Sequence, residues 1–166
     1  ATTVTAAYSY FASTHATLDN PDAVSQLLIA RRVVDAPTPG AAQFGGVWLP
    51  LPQLLALPTV WLNAWFYSGL AGSLVSMISY VLATRYLYRT ARVLTRSGVA
   101  GVVAGTVFSA NPNVLYLQST PLPDVLLIAC FSAAIYHLMR WAQTSSHRQL
   151  AATAAAMLLA SLTSYE

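Results

Sequence analysis

Residues 68–90 read SGLAGSLVSMISYVLATRYLYRT, and their reading decides the fold. No charged residue occurs in this run before Arg85. From there arginines recur at Arg85, Arg89, Arg92 and Arg96, three or four residues apart and so about one helical turn each. The run is long enough to cross a hydrocarbon core, which needs about 20 apolar residues. Gly69, Ala71, Gly72, Ser73 and Ser76 crowd its first half with small side chains of the kind that let helices approach closely. By the positive-inside rule the arginine end is cytoplasmic.

The rest of the chain agrees with a membrane environment. Of its 166 residues 56% are hydrophobic and 8% charged, with a mean hydropathy of +0.55. A soluble domain carries about 25% charged residues, because charge is what covers a water-facing surface. All eight basic residues are arginine, against five acids, for a net charge of +3. That small excess follows topology and forms no nucleic-acid patch. Cys130 is the single cysteine, so an intrachain disulfide is excluded, and no Cys/His spacing suggests a metal site. The start, Ala-Thr-Thr, has no basic n-region, and no cleavable signal peptide is expected.

Working outward from 68–94, further spans are read over 97–117, 124–143 and 149–165. Asn111-Pro112-Asn113 should break the first of these near its outer end. Residues 1–18 are read as the outer part of a first span, with an unstructured leader as the alternative. Residues 19–67 form an outer loop. Within it, 22–34 has helical periodicity: Val24, Leu27, Leu28 and Val34, with Ala30, make an apolar stripe, and Gln26, Arg31 and Arg32 fall off it. Asn20 or Asp19 can cap this helix, Pro21 suits its first turn, and Pro37-Thr38-Pro39-Gly40 ends it. It is too short to cross and should lie along the surface. Residues 48–66, with Pro50, Pro52, Pro58 and the interfacial aromatics Trp48, Trp61 and Trp65, read as a short proline-bounded interfacial or re-entrant helix; a full span is the alternative. The expected fold is all-α, a multi-pass transmembrane bundle with an amphipathic surface helix in its first outer loop. The chain is expected to be one piece of a longer protein.

This topology puts Arg85, Arg89, Arg92, Arg96, Arg140 and Arg148 inside. Outside lie Arg31, Arg32 and all five acids, Asp19, Asp22, Asp35, Asp124 and Glu166. Acids at a water boundary are cheap, so solvation accounts for Asp19 and Asp35. Asp22 starts the surface helix and Asp124 starts a span behind Pro121 and Pro123. Either can serve catalysis or simply complement a helix dipole. Arg31 and Arg32 have the planar fork that suits phosphate oxygens, although snorkelling to lipid phosphate explains them equally. His15 reads as an interface residue; His137 and His147 lie towards the cytoplasmic end. There is no P-loop, GxSxG or HExxH motif.

The joint order of Asp22-Ala23, AVSQLLIARRVVD, PTPG, VWLPLPQLLALP, NPNVLYLQSTPLPD and LTSYE resembles the N-terminal part of bacterial membrane glycosyltransferases of the GT-C type. These are relatives of the protein mannosyltransferases and of the aminoarabinose transferase of lipid A. The resemblance covers nearly all of this chain and about the first third of such an enzyme. It implies an inverting transfer, on the outer face of the bacterial cytoplasmic membrane, from a polyprenyl-phosphate-linked sugar donor to a protein, glycan or lipid acceptor. It implies Asp22 as general base on the acceptor hydroxyl and Asp124 as a second acid. Arg31 or Arg32 would steady the leaving phosphate. Some branches hold a divalent cation between paired acids. Here Ala23 stands where relatives have a glutamate, which weakens a two-carboxylate site in this loop.

Two other classes compete: a non-enzymatic protein, either transporter or structural subunit, and a membrane acyltransferase. A transporter places ionisable groups near the midplane, where this sequence has only Arg85. A structural subunit tolerates acids on one face without needing them. A membrane acyltransferase would want a central histidine, and His137 sits too near one end. The glycosyltransferase reading gains most if Asp22 and Asp124 meet at one outward cavity.

Overall fold

The computed structural model describes residues 2–40, 43–44 and 49–164. Trp48, Tyr165 and Glu166, which figure in the sequence reading, lie outside the described residues. Among those described, the regular structure is helical and no strand occurs. In chain order the α-helices are α1 (Thr2–Ser13), α2 (Pro21–Val34), α3 (Pro50–Ala56), α4 (Asn63–Tyr67), α5 (Leu70–Thr95), α6 (Gly98–Ser109), α7 (Pro112–Leu117), α8 (Asp124–Thr144) and α9 (His147–Ser161). A 3-10 turn, Ala16–Leu18, joins α1 to α2.

Helix α5 is the axis of the molecule. Its 26 residues span about 39 Å at the α-helical rise. Helix α6 packs antiparallel along its second half, where Gly101 lies under the Tyr88 ring: a Cβ there would sit 2.9 Å from Tyr88 side-chain atoms and from its carbonyl oxygen. The Tyr80 hydroxyl donates to Ser109 O at 2.8 Å, fixing the far end of the same pair. Helix α8 runs parallel to α5, and α9 returns antiparallel against α8. Near the arginine end His137 Nδ1 meets Gln149 Oε1 at 2.7 Å and Tyr86 packs edge-on to the His137 ring.

Helices α5 and α8 are both long and apolar enough to cross a membrane. Ile78, Val81, Leu82, Val99, Val102, Val103, Val107, Phe131, Ile135, Leu138 and Leu158 are exposed on the outer faces of α5, α6, α8 and α9. In water such a girdle would be an aggregation surface; against lipid chains it costs nothing.

Some boundaries follow the sequence reading and others differ from it. The 97–117 stretch forms α6 and α7, with the break at Asn111-Pro112 that its sequence predicts. Pro112 starts α7, and Asn111 Oδ1 accepts from the Asn113 backbone N–H at 2.9 Å. Helix α6, of 12 residues, and α9, of 15, are each short of a full crossing. The single helix read over 48–66 is α3 and α4 with turns between, because Pro58 offers no N–H to continue α3. Residues 2–13 form α1. It lies beside the first half of α5, with Val4 packed against Met77 and Tyr80 and the Tyr8 hydroxyl 3.4 Å from Ser68 O.

The face of α2 is also rotated from the one expected. Ala23, Gln26, Leu27 and Ala30 are buried, whereas Leu28 is 40% exposed. Small Ala30 lets α2 settle against α3 and the start of α5. There Leu27, Ala30, Ala56, Val60 and Ala71 form one apolar cluster. Gln26 turns inward because it has a partner, Gln53 of α3.

Candidate active site

The four described acids gather at the end of the bundle where α5 and α8 begin, and Arg85, Arg89, Arg92, Arg96, Arg140 and Arg148 lie along and beyond the other half. Asp22 sits in the first turn of α2. Asn20 caps that helix, its Oδ1 accepting from the Asp22 backbone N–H at 2.8 Å, and Pro21 fits the first turn because its missing N–H is one the helix cannot use. The carboxyl of Asp22 is exposed and complements the helix dipole. Asp124 is the first residue of α8 and is also exposed.

What places Asp124 is the preceding strap, Gln118 to Pro123, buried throughout. Its carbonyls are held by serines of α5. Ser73 Oγ donates to Ser119 O at 2.9 Å, and Ser76 Oγ lies 2.8 Å from Thr120 O and 3.1 Å from Leu122 O. Gln118 Nε2 reaches Ser119 Oγ at 2.9 Å and Val4 O at 3.4 Å, tying the strap to α1. Gly72 is the point of closest approach. A Cβ there would lie 2.3 Å from Pro121 Cβ and 3.1 Å from Leu27 Cδ2, so only glycine lets the strap and α2 meet α5 together. The small-residue run in 69–76 therefore serves this strap as well as helix contacts.

Between α2, α3, the start of α5 and the strap lies a cavity of about 20 Å³, lined by Gln26, Gln53, Ser76, Leu122 and Pro123 among others. Neither Asp22 nor Asp124 lines it. Their neighbours do: Gln26 is one turn along α2 from Asp22, and Pro123 precedes Asp124. The two acids thus belong to elements that converge on one cavity without meeting in it.

Gln26 and Gln53 are the polar groups that the sequence reading did not single out. Gln53 Nε2 donates to Gln26 Oε1 at 2.8 Å, and both side chains are buried. The available signal was a lone amide inside an apolar run, as in LPLPQLLALP.

Arg31 is occupied within the protein. Its Nε and Nη2 donate to Asp35 Oδ2 at 3.0 and 2.9 Å, Nη2 also to Asn63 Oδ1 at 2.8 Å, and Nη1 to Val60 O. The guanidinium lies 5.4 Å from the Phe66 ring centre. Arg31 therefore locks α2 to the α3–α4 connection. Arg32 is exposed and forms no hydrogen bond or ion pair among the described residues. Asp19 follows the 3-10 turn and is exposed, and His15 precedes that turn in a left-handed conformation with φ 59°. No three of His, Cys, Asp and Glu come together as metal ligands among the described residues, so the donors present do not make a metal centre by themselves.

The profile of the dolichyl-phosphate-mannose-protein mannosyltransferase family matches residues 64–166, more than half of the chain. The chain belongs to this family. The family is one of membrane glycosyltransferases, which implies a lipid-linked sugar donor and a protein or glycan acceptor. The match contains α5 to α9, the strap and Asp124. Asp22, Gln26, Arg31, Arg32 and Gln53 precede it. No curated protein and no solved structure matches the chain.

Proposed function

We propose that the acid-bearing end of this bundle is the transfer site of an inverting glycosyltransferase using a polyprenyl-phosphate sugar donor. It faces outward from a bacterial cytoplasmic membrane crossed several times. The observation that carries the reading is the convergence on one cavity of α2, whose first turn bears Asp22, and of the strap that leads into Asp124, in a chain of the mannosyltransferase family.

In this reading Asp22 is the general base. Its carboxylate takes the proton of the acceptor hydroxyl as that oxygen attacks the anomeric carbon. The carbon–oxygen bond to the donor phosphate breaks from the opposite side, its electron pair leaves with the polyprenyl phosphate, and the configuration inverts. A base must lie within hydrogen-bond reach of the proton it removes. An exposed carboxyl on a cap-fixed helix leaves Asp22 open to an incoming hydroxyl. Arg32 is the free fork for the leaving phosphate, whose growing charge a guanidinium offsets. Arg31, also expected at the donor phosphate, is assigned to holding α2 in place, since a phosphate would have to displace Asp35 or Asn63 from it. Asp124 contacts the acceptor or donor hydroxyls.

The test is transfer from polyprenyl-phosphate mannose to membrane acceptors by the intact enzyme carrying Asp22→Asn. General-base removal predicts a loss of about 10²–10⁴-fold in kcat. Normal transfer by a folded Asp22→Asn enzyme rejects the base assignment.

A further inference from the structure

The cavity beside Asp22 has an unmet chemical requirement. Gln26 is 4% and Gln53 1% exposed, and one hydrogen bond joins their amides. Gln26 Nε2 and Gln53 Oε1 have no partner. Each primary amide brings two N–H donors and a carbonyl with two lone pairs, so a single bond between two such groups leaves a donor and an acceptor over whichever way the amides are turned. Buried polar atoms left so are costly, and native proteins satisfy them.

Both side chains line the same cavity, with Ser76 beside them. Its volume of about 20 Å³ exceeds the 10–15 Å³ or so that one water-sized group needs, and is far too small for a sugar ring. Ser76 Oγ spends its proton on the Thr120 and Leu122 carbonyls and keeps lone pairs for a further donor. The remaining walls, from Leu27, Pro121 and Leu122, are apolar. The cavity therefore asks for one small group able both to donate and to accept a hydrogen bond. A carboxylate lacks the donor, and an ammonium lacks the acceptor.

We propose that this cavity is a socket for a single hydroxyl oxygen, which accepts from Gln26 Nε2 and donates to Gln53 Oε1. The oxygen comes from a resident water or from a hydroxyl of the sugar donor entering between α2 and the strap. In the second case the socket fixes the sugar relative to Asp22, one turn away on the same helix, and Gln26 and Gln53 are specificity residues for the transfer proposed above. The inference rests on that reading for the identity of the donor and not for the socket itself.

Structures of the intact enzyme without donor, and with polyprenyl-phosphate mannose but no acceptor, test it. Since no transfer occurs without an acceptor, the result does not depend on Asp22 being the base. An oxygen within hydrogen-bond reach of both amides in both states identifies a resident water. An oxygen present only with donor identifies a sugar hydroxyl. In that case Gln26→Leu with Gln53→Leu, which removes both amides together, raises the donor KM roughly threefold to tenfold with kcat little changed. In the water case the double variant leaves KM where it was. No oxygen between the amides in either state, or an apolar chain filling the cavity, overturns the proposal.

Discussion

Gly72→Ala tests how the site is built, because it touches neither acid. The added methyl carbon would stand 2.3 Å from Pro121 Cβ, 3.2 Å from Pro121 Cα and 3.1 Å from Leu27 Cδ2. Carbon atoms in contact ordinarily sit about 3.5–4.0 Å apart, so the strap must retreat by about 1 Å or more. Leu27 can adjust its rotamer; the proline ring cannot. Overpacking of this kind costs about 1–3 kcal/mol. The retreat also pulls Ser119 O and Thr120 O from Ser73 and Ser76, and each hydrogen bond lost adds about 1 kcal/mol. The expected loss is about 3–5 kcal/mol when both go. Thermal melting of the intact, detergent-purified enzyme reads the stability. Transfer from polyprenyl-phosphate mannose reads the displacement of Asp124 and α2. Gly98→Ala is the control: nothing lies within 4 Å of its would-be Cβ, and alanine at the first residue of α6 should leave melting unchanged or slightly raised. A Gly72→Ala enzyme that melts with the wild type and transfers at the normal rate would refute the account of the strap.

The two adjacent arginines should separate by assay. Arg31→Ala loses the bonds to Val60 O and Asn63 and should cost about 2–3 kcal/mol in melting, whereas Arg32→Ala stays within about 0.5 kcal/mol and instead raises the donor KM. The reverse assignment of effects would show that Arg31 is the phosphate contact. Asn20→Ala removes the cap of α2 and should destabilise by about 1 kcal/mol, with Asn20→Ser retaining most of the cap; equal melting of Asn20→Ala and wild type would contradict it. Ala23→Glu should lower the melting temperature by burying a carboxylate without a partner; an unchanged melting curve with activity stimulated by added divalent cation would reverse that expectation.

Much of this architecture was legible because membranes enforce simple rules. The runs at 68–84 and 125–139 are apolar over nearly their whole length, and each meets arginine only towards its far end, Arg85 onward in one and Arg140 in the other. The cap at Asn20 and the break at Asn111-Pro112 were equally readable, since both follow from local hydrogen bonding and the missing proline N–H. The face of α2 was not. Hydropathy puts Leu28 inside and Gln26 outside, and packing reverses this because Gln53 from α3 supplies a partner that no local window contains. The burial of the strap was hidden for the same reason. QSTPLP is polar at its start, but Ser73 and Ser76, more than forty residues earlier, satisfy its carbonyls and allow it to be buried. Asp22 and Asp124 could be picked out as acids; that their supporting elements converge depended on Gly72, whose role only contact with Pro121 defines.

The same packing explains why the first loop offers one carboxylate where the resemblance gives two. Successive residues on a helix point about 100° apart, and on α2 that step leaves Asp22 facing water while residue 23 turns towards the bundle. Asp22 is exposed and Ala23 fully buried, on the side of α2 that also carries Gln26, Leu27 and Ala30. A longer acid at position 23 would lift that face and open the cavity beneath it. With alanine at 23 this face of α2 lies close to α3, where Gln26 reaches Gln53. The burial of position 23 and the inward turn of Gln26 thus belong to one face of α2, the face that a carboxylate at 23 would have to enter.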